Sequence, residues 1–144
     1  MSKIYIVQGS CGDYSDYNEW MVMAYSNIHD AQKHANFANE MNNQLNEQER
    51  AMYESPEFKA ISARVDEMSP PGEYDWSQRD AWYKDAEHPE RMEANDAYGK
   101  YWDDWHMLRG SNEEMNRFDP TYARRSEWQN WPTSYTVVDV EYNP

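Results

Sequence analysis

Tyr135-Thr136-Val137-Val138-Asp139-Val140-Glu141-Tyr142 is a Thr- and Val-rich run in which Val138, Val140 and Tyr142 fall on one face of an extended chain. β-Branched and aromatic residues suit a pleated backbone, and alternate residues of a strand share a face. A strand so late in the chain needs a partner, and the other end supplies one. Ile4-Tyr5-Ile6-Val7 has the same composition, while Trp20, Val22 and Ala24 alternate with Met21, Met23 and Tyr25 in a second two-faced run. Between them Gly9-Ser10-Cys11-Gly12-Asp13-Tyr14-Ser15-Asp16-Tyr17-Asn18 reads as a long, tyrosine-bearing loop, so the first two runs make a hairpin. The class predicted is α+β: a small antiparallel sheet, from the N-terminal hairpin and the returning C-terminal strand, covered by several helices.

The middle of the chain supplies those helices. Ser26 or Asn27 caps the first, in which Ile28, Ala31, Ala35, Ala38, Leu45 and Met52 keep a three-four spacing that Asn42 interrupts. Its alanines allow close approach to a sheet. Ser55-Pro56 ends that helix and starts another, with Phe58, Ile61, Val65 and Met68 as the apolar face. Ser69-Pro70-Pro71-Gly72 is the clearest break. Four residues are few for a linker, so residues 1–144 read as a single domain with an acidic, Trp-rich helical insert at about 70–131. Within it Trp76 to Glu87 reads as a short helix bounded by Pro89. From Glu90, a stripe of Ala94, Tyr98, Trp102, Trp105 and Leu108 runs to a stop at Gly110. Ser111-Asn112-Glu113-Glu114 matches a capping box, and Asp119-Pro120 a further helix start.

Lys3-Ile4-Tyr5-Ile6-Val7, Gly12-Asp13-Tyr14-Ser15-Asp16-Tyr17, Ser26 with Ala31, and the closing Val137-Val138-Asp139-Val140-Glu141 carry a resemblance. They resemble the strand, Gly-x-Tyr-Ser-Asp-Tyr-type loop, second strand and Ser-capped helix that open a group of small uncharacterised phage and bacterial proteins. The resemblance covers about a third of the chain, and the segment from Pro70 to Trp131 departs from it. It implies a mobile-element origin and transfers no chemistry.

Composition narrows the function classes. Asp and Glu number 27 against 13 Lys and Arg, a formal charge of −14, and 15% of the 144 residues are aromatic. Acidic polar chains are often disordered, but such chains are poor in aromatics, so a folded domain with a thin core is expected. The single Cys11 excludes an internal disulfide, the apolar run near Met1 is too short for a signal peptide, and no stretch is long enough for a membrane span. A cytoplasmic protein, acting in a host cell, is the expectation.

Individual residues offer little chemistry. Asp13 and Asp16 lack the Gly and final Glu of a calcium loop. His29 and His34 are five apart rather than four, and with one Cys no zinc site is expected. His106, beside Asp103 and Asp104, reads as a surface residue, and Cys11 as a small inert thiol without a neighbouring base. Adjacent carboxylates such as Asp66-Glu67 are common in a chain this acidic. No catalytic, cofactor or metal residue is assigned, and no enzymatic activity is expected.

Charge and aromatic side chains carry the functional expectation. Between Asp66 and Asp119 there are 15 acidic and 6 basic residues. Such a surface repels nucleic acid and anionic membrane and attracts basic protein surfaces. The reading is an acidic, non-catalytic inhibitor of phage or mobile-element type, one that binds a host nucleic-acid-handling or defence protein and imitates nucleic acid. Its partner-binding residues are Asp80, Asp85, Glu87, Glu90, Glu93, Asp96, Asp103 and Asp104, with Trp102 and Trp105 and the loop residues Tyr14, Asp16 and Tyr17 as anchors. Each has a plainer reading: solvated carboxylates, a helical core stripe and a hairpin turn. The rivals are a small-molecule or nucleotide-signal binder that holds phosphate with Arg124-Arg125, and a small enzyme without a recognisable motif.

Overall fold

In a computed structural model that describes residues 2–12, 17–126 and 131–143, three strands and six helices follow one another along the chain. Strand β1 (Ser2–Cys11) is central, flanked by β2 (Asn18–Tyr25) and β3 (Ser134–Tyr142), both antiparallel to it. The α+β class and the pairing of the two chain ends are therefore as the strand composition indicated. β3 runs against the whole of β1, from Ser2 opposite Tyr142 to Ser10 opposite Ser134. On the other side Tyr5 lies opposite Tyr25, and the register shifts between Val7 and Gln8, where β2 carries one extra residue. Both strands reach further than their apolar runs. Gly9 is needed inside β1 because a Cβ there would run into the indole of Trp20.

The chain divides into two compact units, residues 1–47 with 106–144, and residues 48–105. The first holds the sheet. Helix α1 (Ile28–Glu54) lays Ala31, Ala35, Ala38 and Leu45 into a core with Val7, Met115, Tyr122 and Tyr135. Ile28, at the head of the expected stripe, stays 42% exposed. Asn42 interrupts the stripe for a reason: it is 1% exposed, its amide N–H donates to the Pro132 carbonyl, and its oxygen accepts from Arg109 Nη2. Asn39 clamps β3 by donating to the Tyr135 carbonyl at 2.8 Å and accepting from the Tyr135 N–H at 2.7 Å. The sheet face away from the core leaves Val138, Val140 and Tyr142 exposed.

The short helices of this unit depart from the sequence expectation in detail. Helix α5 (Glu113–Phe118) is capped by Asn112, whose side chain accepts from the Met115 N–H; Ser111 instead donates to the Leu108 carbonyl. Asn at that position satisfies a first-turn donor as well as Ser does, one residue later. Asp119 does not open a helix directly. Its carboxylate accepts from the N–H and hydroxyl of Thr121, and α6 (Tyr122–Ser126) begins beyond that turn.

In residues 48–105, α2 (Pro56–Met68) starts as predicted. Ser55 accepts from the Phe58 N–H, and Pro56 occupies the first turn. Helix α3 (Trp76–Tyr83) has a reciprocal cap between Asp75 and Gln78. It stops at Tyr83 rather than Glu87, because Asp85 turns its carboxylate onto the Glu87 N–H and Pro89 disfavours helix just before it. Pro89 then opens α4 (Pro89–Gly110). No helix of the described residues is long and apolar enough to cross a membrane.

Candidate functional site

The carboxylates singled out in the sequence fall on α3, α4 and the turn between them. On α4, Glu93, Asp96, Asp103 and Asp104 recur at three-four spacing with Lys100 among them, and all five side chains are exposed. Residues so spaced share one face of a helix. At 1.5 Å per residue the row spans about 16 Å. Its opposite face carries Ala94, which is buried, and Tyr98, Tyr101, Trp102 and Trp105, which are half-buried. The pattern that fixes the helix in its unit is therefore also the pattern that turns its acids outward.

Part of this charge is paired. Lys84 reaches Asp80 at 3.0 Å, Arg91 reaches Asp85 at 3.5 Å, Arg64 reaches Glu93 at 4.0 Å, and Lys100 contacts Asp104. His88 lies 3.2 Å from Glu90. Glu90 is held below the usual carboxylate range, chiefly by a backbone N–H at the start of α4, with His88 adding to it. Glu87, Asp96 and Asp103 are exposed and make no ion pair among the described residues. Exposed pairs of this kind are worth roughly 0–1 kcal/mol and exchange readily with a partner's cations. They do not cancel the field: residues 48–105 hold 15 acidic and 7 basic side chains, −8 of the −14.

The expected aromatic anchors sit differently from one another. Trp102 packs against Tyr53 at 5.1 Å, Phe58 at 5.7 Å and Tyr98 at 6.4 Å between ring centroids. Its ring thus belongs to the packing of residues 48–105, with Phe58 buried at the centre. Trp105 is half-buried, and its indole N–H is buried without a hydrogen-bond partner among the described residues. Leu108, last of the stripe, is 66% exposed. Tyr17 is exposed and donates to Glu19 at 3.0 Å, whereas Tyr14 and Asp16 lie outside the described residues.

One feature of this region escaped the sequence reading. Tyr74, Trp76 and Tyr83 line a recess of about 660 Å³ with Asp75, Arg79 and Asp80. Trp76 stands 88% exposed at the first position of α3. Tyr74 is held edge-on to Trp82 at 6.1 Å, and the Trp82 indole N–H in turn donates to the Met68 carbonyl. The only sequence signal was an apolar ring directly after a helix cap, where most helices place a polar residue.

Elsewhere the polar side chains serve the fold. Asp119 is fully buried and accepts from Trp20 Nε1–H at 2.9 Å and from the Tyr135 hydroxyl at 2.8 Å, besides Thr121. Burial, with that carboxylate adding to it, holds the Tyr135 phenol far above its ordinary range. Arg125, offered above as a phosphate ligand, is buried with its guanidinium 3.0 Å above the Trp20 ring and a hydrogen bond to Thr121; Arg124 is exposed. His34 donates through Nε2 to the Phe118 carbonyl at 2.6 Å, leaving Nδ1 to accept from the Tyr25 hydroxyl. His106 is half-buried against Trp131, centroids 5.8 Å apart, rather than a freely solvated neighbour of the carboxylates. Cys11 is buried. Among the described residues no group of three or more His, Cys, Asp or Glu is placed to hold a metal ion. The chain matches no family model, no curated protein and no solved structure.

Proposed function

We propose that this chain is a non-catalytic inhibitor that docks its acidic α4 face on a basic surface of a nucleic-acid-handling host protein and occludes it. The observation that carries the reading is the exposed row of Glu93, Asp96, Asp103 and Asp104 on a unit of net charge −8. A field of one sign, on a helix fixed by its aromatic face, steers a cationic partner and sets its orientation. The phage-type origin rests on the resemblance of the N-terminal third alone.

The kind of mimicry follows from charge density. Duplex DNA presents about ten phosphates over ~16 Å of axis. The α4 row offers four carboxylates and one ammonium over the same length, so it shares the sign of a nucleic acid and not its spacing. The partner's binding groove is then blocked by a folded body carrying the attractive charge, rather than filled by a copy of a duplex.

The test is capture from a bacterial lysate at low and high ionic strength, with wild type and with Gln at positions 93, 96, 103 and 104. A basic nucleic-acid-binding protein should be retained at low salt, released as salt rises, and held about tenfold more weakly by the variant. Recovery of acidic proteins only, or of none, contradicts the proposal.

A further inference from the structure

We propose that the recess lined by Tyr74, Trp76 and Tyr83 receives an arginine side chain of the basic partner; this deepens the function proposed above and rests on it. Three observations lead there. The first is that the chain itself repeatedly stacks guanidinium on indole. Arg125 lies 3.0 Å from the Trp20 ring centroid, Arg91 3.4 Å from that of Trp82, and Arg109 4.4 Å from that of Trp131. Trp76 has a ring of the same kind, 88% exposed, with no cation or ring against it among the described residues.

The second is the chemistry of the walls. Three aromatic rings line it, and aromatic faces attract cations; Asp75 and Asp80 add two carboxylates, beside Arg79 and the Lys84 that pairs with Asp80. Asp75 spends one oxygen on the Gln78 N–H, and Asp80 pairs with Lys84 at 3.0 Å while both side chains stay more than 60% exposed, so a partner's cation can compete for it. A planar guanidinium stacks on an indole and hydrogen-bonds a carboxylate at its edge in one pose, which an ammonium does less well. The third is position in the field. The recess belongs to the unit of net charge −8, which favours a cation and opposes an oligophosphate. A nucleotide stacked on Trp76 with its phosphate on Arg79 is the competing occupant.

The experiment titrates the whole chain with blocked Gly-Arg-Gly peptide and with the same peptide carrying citrulline, which keeps the shape and loses the charge. The readout is the indole N–H signal of Trp76 in the NMR spectrum, assigned by its loss in Trp76→Phe. Millimolar arginine peptide should shift that signal saturably, with citrulline at least about tenfold weaker. Trp76→Ala should weaken capture of the partner by about tenfold and Trp76→Phe by less, without change in the unfolding midpoint. An unshifted Trp76 signal, equal binding of citrulline, or ATP binding at Trp76 that arginine does not displace overturns the assignment. The two proposals fail separately. If Gln at 93, 96, 103 and 104 abolishes capture while Trp76→Ala leaves it whole, the recess assignment falls alone. If the peptide fills the recess and no cationic protein is captured, the inhibitor reading falls alone.

Discussion

Asp119 binds together parts of the chain that sequence distance keeps apart: Trp20 in β2, Tyr135 in β3 and Thr121 before α6. A buried carboxylate that receives four donors orders all of them, and removing it leaves each without a partner. Asp119→Ala should therefore lower stability by about 3 kcal/mol or more, read as a shift of the urea midpoint. Gly9 tests packing instead of polarity. Its φ is ordinary, but the Trp20 indole occupies the space of a Cβ, so Gly9→Ala should cost about 1–3 kcal/mol. A change within error at either position would mean that the Trp20 contact is not held as described. Asp119-Pro120 reads locally as a helix start, because Asp-Pro is a frequent local signal. Its long-range partners, 16 and 99 residues away, have no local signature.

Elements were more legible than residues, for a physical reason. Strand composition, three-four spacing and caps are local, so β1, β2, β3, α1, α2 and α4 form where those patterns place them, although residues 9–11 and Asn18, read as loop, extend β1 and β2. Ends were less legible: α3 closes early because the Asp85 side chain competes for backbone, an interaction that periodicity does not register. Ser55→Ala removes the side-chain cap on the first turn of α2 and should cost about 1 kcal/mol, read from the urea midpoint. In α1, the polar break at Asn42 is a feature of the core: Asn42→Leu would leave the Pro132 carbonyl without its donor and take one acceptor from Arg109, which keeps Tyr122 and Asn46, and should destabilise by about 1–3 kcal/mol despite its better hydrophobic pattern. Conversely Val140→Thr on β3, at a position 45% exposed, should stay within about 0.5 kcal/mol. For the site, outward-facing carboxylates on α4 were readable as the complement of its apolar stripe. The recess beside Trp76 was not, because it depends on how a loop, α3 and α4 come together.

At the scale of the molecule, a charge of −14 on 144 residues works against the compact state through self-repulsion. Neutralising Glu93, Asp96, Asp103 and Asp104 to Gln therefore should leave the thermal midpoint unchanged or raised while binding weakens, which separates a docking face from a structural one. A falling midpoint would instead assign these carboxylates to the fold. The measurement that bears most directly on the α4 face is the association rate constant with the captured partner, followed from about 20 to 300 mM salt, a range that carries the Debye length from well beyond the protein surface to a few ångströms. Wild type should lose at least about tenfold in rate over that range, and the four-site Gln variant should show a markedly shallower dependence. Equal slopes for the two proteins would contradict the proposal that this helix face is what the partner meets.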